Sequence, residues 1–206
     1  MKNINEKNYP NIKDAVAFDI AFDPWITGYP DRMGKSYYEI LCDECEAYVQ
    51  IKDYEAQNIG SKADYGLFDR TLEFAVKDNL RQLLIKNFDI TEDDFRPMYT
   101  RRGKLIYYQI TPKHTMLPIG HVNGWTPQEP CPCCGRVQYN FNDFSNENDE
   151  DYHYITKEAL EDMHDINVSF EKFRFYRPNF VVSRRVYDFL SVRYPRMRFE
   201  PYFLAE

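Results

Sequence analysis

The sequence predicts an α+β protein in which an N-terminal region, closed by two cysteine pairs and carrying a large insertion, is followed by a small C-terminal α/β unit. The cysteine pairs stand far apart, in LCDECEAY (41–48) and EPCPCCGR (129–136). Strand-like and helix-like patterns follow one another along the chain. With 206 residues, of which 43% are hydrophobic and 17% aromatic, the chain can bury a sizeable core.

A polar segment suggests where the chain divides. NDFSNENDEDY (142–152) is acidic and offers little apolar surface to bury. We therefore predict a double C-x-x-C region over 1–142, which contains a helix and hairpin insertion, an acidic linker over 143–152, and a C-terminal α/β unit over 153–206.

The elements of the N-terminal region follow from local patterns. SYYEILCDECEAYVQIKDY (36–54) is rich in aromatic and β-branched residues, which predicts two strands around a cysteine turn. Leu72, Val76 and Leu80 recur at helical spacing and predict a helix over 69–86. FRPMYTRRGKLIYYQITP (95–112) predicts a hairpin with Gly103 in its turn, and RVQYNFNDF (136–144) predicts a further strand.

Two capping residues organise the C-terminal unit. Thr156 is the predicted N-cap of a helix in KEALEDMHD (157–165). FEKFRFYRPNFVVSRRVYDFLSVRYPRMRFEPYF (170–203) then predicts strand, strand, helix and strand, with Ser183 as the N-cap of the helix. The apolar face predicted for that helix is Val186, Phe189 and Leu190.

Charge and hydropathy narrow the class of protein. The net charge of −7, from 33 acidic and 26 basic residues, argues against a nucleic-acid binder, because binding to phosphates requires clustered Lys and Arg. The N-terminus has no apolar run typical of a signal peptide, and no stretch approaches the roughly 20 apolar residues of a membrane span. We therefore expect a cytoplasmic protein with no membrane partner.

The cysteine spacing predicts a metal site. Disulfides rarely persist in a reducing compartment, and a C-x-x-C turn delivers two thiolates to one zinc ion. Cys42 with Cys45 and Cys131 with Cys134 make a four-cysteine set, separated by the 85 residues 46–130. Such a site leaves no open coordination position, so the zinc would be structural and would clamp the base of the insertion.

Three alternatives to this ligand set remain open from the sequence. The cysteines could be free and buried, Cys133 could replace one of the four ligands, or His121 could coordinate the metal. The first pair is followed by Glu46, where the second has Gly135.

No pattern selects an enzyme. The P-C-x-x-C half of the zinc deaminase signature is present in PCPCC, but the H-x-E half is missing. The four histidines form no recognised catalytic spacing, and no glycine-rich phosphate loop occurs. The sequence therefore favours a non-enzymatic protein; an enzyme with an unrecognised site remains an alternative.

The order YYEILCDECEAY (37–48), a long insertion, CPCCGR (131–136) and a terminal FRFYRPNFVVSRRVYDFLSVRYPRMRFEPY (173–202) resembles the double-CXXCG motif immunity family. Proteins of that family are encoded beside polymorphic toxins and protect the producing cell. The resemblance implies that the four cysteines of the two C-x-x-C pairs take the family's zinc-type positions. It also implies that the partner is one cognate toxin protein, which the chain binds and neutralises. The alternative is a structural zinc-ribbon adaptor in another assembly.

Arg184 and Arg185 are the residues that the sequence offers for contact with a partner. They lie at the predicted N-terminus of a helix, where the helix dipole disfavours cations. Solvation, or pairing with the acidic segment, would also explain them. If they contact the partner, changing both to Glu is expected to weaken binding and leave the fold intact.

Overall fold

A computed structural model gives the fold of the chain. The structure describes residues 3–20, 25–26, 38–45, 47–51, 55–56, 63–68, 74–100, 102–122, 125–141, 153–172 and 178–205. The predicted linker at 143–152 lies outside these residues. The fold is α+β, as the sequence predicts.

Helices and strands are interspersed along the described part of the chain. The helices are α1 (Ile4–Asn8), α2 (Asp78–Asn87), α3 (Lys157–Asp162) and α4 (Arg184–Arg193), with 3-10 helices at Ile12–Asp14 and Glu92–Asp94. The strands are β1 (Ala17–Ile20), β2 (Trp25–Ile26), β3 (Tyr38–Cys42), β4 (Ala47–Ile51), β5 (Glu55–Ala56), β6 (Tyr65–Phe68), β7 (Phe74–Val76), β8 (Phe95–Thr100), β9 (Leu105–Ile110), β10 (His121–Val122), β11 (Trp125–Pro127), β12 (Tyr139–Phe141), β13 (His153–Ile155), β14 (Ile166–Val168), β15 (Phe180–Ser183) and β16 (Phe199–Leu204).

The chain divides into two compact units. Unit 1 comprises Met1–Ala21, Ile40–Tyr48 and His114–Glu206, and unit 2 comprises Phe22–Glu39 and Val49–Lys113. This division differs from the one predicted at 142 and 153. The physical reason is strand pairing, because β1 and β10 from the predicted N-terminal region join the same sheet as the strands of the C-terminal unit.

Unit 1 is built on a six-stranded sheet in the order β10-β13-β16-β1-β15-β14. β1 lies between β15 and β16 and is antiparallel to both. Successive side chains of a strand point to opposite faces, so Ala17 and Phe18 enter different packing layers. The layer on the Ala17 side is a buried apolar cluster of Ala17, Met116, Ile119, Val122, Tyr139, Ile155, Ala159, Val181 and Tyr202.

The opposite face of this sheet packs against α4. Phe18 stacks on Tyr187 with ring centroids 3.7 Å apart, and Phe199 meets both rings edge-on. Of the face predicted for this helix, Val186 and Leu190 are buried, whereas Phe189 is half-buried. Tyr187, which was not part of the predicted face, is buried against Phe18.

Both helix starts predicted in the C-terminal region are confirmed. The Thr156 side chain accepts a hydrogen bond from the backbone N–H of Ala159, and Ser183 accepts one from Val186. These bonds satisfy N–H groups that have no partner within the helix. The two helices therefore begin where their local sequence specifies.

Unit 2 contains a six-stranded sheet in the order β2-β6-β7-β9-β8-β5. The predicted hairpin is confirmed as β8 and β9, and Gly103 in its turn has φ +74°, which residues with a side chain rarely adopt. The predicted helix over 69–86 is wrong at its start. Phe74–Val76 forms strand β7, which pairs with β6 and β9, and the helix begins at Asp78.

Two smaller sheets lie beside the cysteine pairs in the chain. β3 pairs with β4 around the first pair, and β11 pairs with β12 around the second. β3, β4 and β12 agree with the strands predicted from the sequence, whereas β11 lies in a segment for which no strand was predicted. Within the described residues, no helix has the length and apolar character needed to cross a lipid bilayer.

Candidate metal centre

The first cysteine pair sits at the turn between two strands. Cys42 is the last residue of β3, and Cys45 closes the three-residue turn that follows. The backbone N–H of Cys45 points at the Cys42 sulfur and is the main reason why the pKa of the Cys42 thiol is lowered. The turn therefore favours the thiolate form of Cys42, which is the form that binds metals.

The second pair sits in a tight turn before β12. The N–H of Gly135 donates to the Cys131 carbonyl at 2.8 Å, and the N–H of Cys131 donates to the Arg136 carbonyl at 3.0 Å. Gly135 has φ +72°, a left-handed conformation that glycine adopts without strain. The backbone N–H of Cys134 is the first cause of a lowered pKa at Cys131, so both pairs are built alike.

The two pairs meet in unit 1 as the sequence predicts. Cys42 Sγ lies 3.8 Å from Cys131 Sγ, and Cys45 Sγ lies 3.7 Å from Cys134 Sγ. All four sulfurs lie within 4.8 Å of one another. A tetrahedron with metal–sulfur bonds of about 2.3 Å has edges of about 3.8 Å. The two distances between the pairs, and the clustering of all four sulfurs, therefore make this group a possible metal site.

The cluster is not a pair of disulfides. All five cysteines lie in the described part of the chain and all are free thiols. A disulfide holds its sulfurs about 2.05 Å apart, far closer than the distances between these pairs. Cys42 and Cys131 are buried, and burial raises the pKa of Cys134 to about 12. A metal ion would have to displace the proton of Cys134, so binding should weaken in acid.

The structure also bears on the two alternative ligands, Cys133 and His121. Cys133 is exposed and stands outside the four-sulfur group, although its thiol contacts Cys42 closely enough for that contact to raise the pKa of Cys133. His121 is in β10, and its side chain is outside the described part of the structure. The described geometry therefore favours the four cysteines of the C-x-x-C pairs.

A second group of possible ligands was not predicted from the sequence. Asp19 of β1 is the cross-strand partner of Glu200 of β16, and His153 of β13 is the partner of Tyr202. The ligand atoms of Asp19, His153 and Glu200 lie within 4.8 Å of one another, and the His153 ring stacks on Tyr202. A buried Asp within the apolar strand AFDI was the only local signal. We assign no ligand to this group.

The two predicted partner-binding arginines both have contacts within unit 1. Arg184 Nη1 donates to the carbonyls of Lys13 at 2.8 Å and Ala15 at 3.0 Å, and its Nε donates to Asp188 at 2.9 Å. Arg185 forms a two-point ion pair with the carboxylate of Asp165. Contrary to the expectation from sequence, changing both arginines to Glu should therefore destabilise the fold. Their role in partner binding stays a prediction.

Replacing Arg185 with Ala is expected to lower the free energy of unfolding by about 2 kcal/mol. The reason is that the Asp165 side chain is only 4% exposed and would lose its two-point ion pair with Arg185, while the hydrogen bond from Ser183 Oγ at 2.6 Å is kept. Urea unfolding of the variant measures the effect. The exposed Arg196, changed to Ala, is the matched control, and equal stability of the two variants would contradict the prediction.

Comparisons of the sequence with protein-family models and with curated proteins, and of the fold with solved structures, found no match. The chemistry of the cysteine cluster is therefore inferred from its own side chains. Four thiol sulfurs within 4.8 Å of one another can bind a soft or borderline metal ion, for which thiolates are preferred ligands.

Proposed function

We propose that Cys42, Cys45, Cys131 and Cys134 hold one structural zinc ion. The observation that carries this proposal is the clustering of their four sulfurs within 4.8 Å of one another, with distances of 3.7 and 3.8 Å between the two pairs. Zinc fits better than a hard cation such as magnesium, because the site offers only sulfur ligands. Four protein ligands complete the coordination of zinc, so the ion would supply cross-linking and no open position for substrate.

The zinc would join two segments of unit 1 that are distant in sequence. Cys42 and Cys45 belong to Ile40–Tyr48, which is flanked on both sides by segments of unit 2. Cys131 and Cys134 belong to the C-terminal part of unit 1. A bond from the metal to both pairs would anchor the isolated segment 40–48 to the rest of its unit. This role explains why a protein with no recognised catalytic pattern would keep four thiols together.

We further propose that the zinc-clamped protein acts as an immunity protein that binds and neutralises a cognate bacterial toxin. The support is the resemblance of CDEC, CPCC and the terminal segment to the double-CXXCG motif immunity family, together with the cysteine pairing that such a protein would need. The net charge of −7 suits a basic partner, and complementary charge speeds association. The 17 Tyr and 15 Phe residues supply side-chain types that dominate binding energetics at interfaces.

Growth rescue tests the immunity proposal. The product of the adjacent gene is expressed in a test bacterium, alone or together with this protein. We expect the product to be toxic and this protein to restore growth, because an immunity protein binds its toxin inside the producing cell. Colony counts over a range of induction measure the effect.

The control is an unrelated zinc-binding protein of similar net charge, expressed in place of this one. Toxicity that the well-folded protein does not relieve, or an adjacent product without toxicity, would overturn the immunity proposal. The zinc proposal would stand unaffected, since metal content is measured separately on the purified protein.

A further inference from the structure

Lys172 is fixed to the segment that leaves the second cysteine turn. Its backbone N–H donates to the Val137 carbonyl at 2.9 Å, and its carbonyl accepts from the N–H of Tyr139 at 2.8 Å. These bonds make Lys172 a parallel bridge partner of Gln138. Gln138 stands four residues beyond Cys134, so the position of Lys172 is tied to that of the second pair.

The side chain of Lys172 reaches the first cysteine turn. Only 3% of the residue is exposed, and its Nζ donates to the carbonyl oxygen of Cys45 at 3.2 Å. A buried ammonium group is costly to desolvate, so this lysine must gain from its surroundings. Lys172 thus links the first cysteine turn, through its side chain, to the segment that follows the second turn, through its backbone.

A second cation lies on the same side of the cluster. Arg136 directly follows Gly135, and its Nη1 donates to the Phe170 carbonyl at 2.6 Å while its guanidinium lies over the Phe170 ring. Arg136 and Lys172 line a cavity of about 340 Å³ together with Cys45 and Cys131. The other residues that line it are Glu44, Gln128, Glu129 and Gln138, and both glutamates are exposed.

The charge of a loaded cluster explains why cations stand there. Four thiolates carry twice the charge of one Zn²⁺, so the occupied site is a dianion. Cys42 and Cys131 are buried, and a buried anion is stabilised only by hydrogen bonds and nearby positive charge. Lys172 is suited to stabilise this negative charge, because it is buried and its ammonium group donates to the backbone carbonyl of the ligand residue Cys45.

We infer that Lys172 is a positioning residue of the metal site, which fastens the first cysteine turn to the second and offsets the negative charge of the zinc-bound thiolates. This inference rests on the proposed zinc function. It concerns the affinity and geometry of the site, since Lys172 has no atom among the four ligands.

Three substitutions separate the two parts of this role. Lys172→Met removes the charge and the donor, Lys172→Gln keeps a donor without the charge, and Lys172→Arg keeps both. Zinc affinity is measured by competition with a chromophoric chelator, and the coordination geometry by the absorption spectrum of the Co²⁺-substituted protein. Outer-shell partners of metal ligands typically contribute roughly 10- to 100-fold in affinity, so we expect a loss of that size in Lys172→Met. Lys172→Gln should be intermediate and Lys172→Arg closest to the native protein.

The matched control is Lys157→Met, because the Lys157 side chain is 75% exposed and pairs with Glu161, which is itself exposed on the same helix. Each variant is first checked for native circular dichroism without metal, and if Lys172→Met does not fold, Lys172→Gln decides. A folded variant with native zinc affinity and a native four-sulfur Co²⁺ spectrum would overturn the inference. A purified native protein that binds no stoichiometric zinc would instead overturn the zinc proposal itself, so the two failures are distinguishable.

Discussion

Replacing Cys131 and Cys134 together with Ser is expected to abolish zinc binding and to lower the stability of unit 1 by several kcal/mol. Each serine removes a thiolate that the ion requires, and the remaining Cys42 and Cys45 hold zinc only weakly. A ligand present at a thousand times its dissociation constant stabilises the folded state by about 4 kcal/mol, and this contribution disappears with the site. The loss should therefore be larger than that of any single hydrogen bond in the fold.

Metal content by atomic emission and unfolding in urea, with and without a strong chelator, measure both effects. We expect one zinc ion per native chain, a marked loss of stability when the chelator is added, and no effect of the chelator on the double variant. Cys133→Ser is the matched control, because Cys133 is exposed in the same turn and lies outside the four-sulfur group. A double variant that still carries one zinc per chain would exclude this ligand set.

Replacing Glu171 with Gln is expected to stabilise the protein above neutral pH. Glu171 is 3% exposed, and burial raises its pKa to about 7 from an ordinary value of 4.5. Hydrogen bonds from its own N–H and from the N–H of Ile119, and the charge of Arg136, oppose the shift without cancelling it. Glu171 Oε1 accepts from Ile119 at 2.8 Å, and a glutamine oxygen can keep that bond.

The direction of the pH dependence follows from proton binding. Between about pH 4.5 and 7 the folded protein keeps the Glu171 proton that the unfolded chain has lost, so the free energy of unfolding falls as the pH rises. At about 1.4 kcal/mol per pH unit, the penalty approaches about 3 kcal/mol and is complete above pH 7. Glu171→Gln should therefore match the native protein near pH 4.5 and exceed its stability by as much as about 3 kcal/mol at pH 8.

Urea unfolding of both proteins is measured from pH 4.5 to 8.5 at the same zinc concentration. Any effect of metal release is then common to both proteins and cancels in the difference between them. Glu158→Gln serves as the control, since Glu158 is exposed in the first turn of α3. A constant difference between Glu171→Gln and the native protein over this pH range would show that the buried carboxyl does not titrate as expected.

The features that the sequence predicted correctly are those with a local cause. A C-x-x-C turn brings its two thiols together whatever surrounds it, so the pairs Cys42 with Cys45 and Cys131 with Cys134 could be recognised from spacing. Thr156 and Ser183 likewise cap helices through bonds to residues three positions away. That the two cysteine pairs come together was predicted only from the preference of zinc for four thiolate ligands.

The start of α2 was predicted wrongly because two kinds of buried segment share one pattern. Phe74, Ala75 and Val76 are all buried, which a strand covered on both faces and a buried helix turn would equally produce. The choice is made by partners distant in sequence, since Ala75 pairs with Gly66 on one side and Gln109 on the other. Helical spacing of Leu72 and Val76 carried no information about those strands.

Contacts between distant residues could not be predicted from local patterns. Arg184 was expected at the surface, but it donates to the carbonyls that end the 3-10 helix Ile12–Asp14. The bond from Lys172 to Cys45 likewise joins residues 127 positions apart, and nothing in EKF (171–173) marks that lysine as buried.

The central position of β1 constrains how the chain can fold as it is synthesised. Ala17, Phe18 and Ile20 leave the ribosome early, but their sheet partners belong to β15 and β16 and are made more than 150 residues later. An N-terminal fragment that ends before β15 therefore has an apolar strand without the neighbours of the completed sheet. Chains with such long-range pairing fold slowly and expose surface that aggregates or binds chaperones. Nascent chains of this protein should accordingly be protected by chaperones until β16 has emerged.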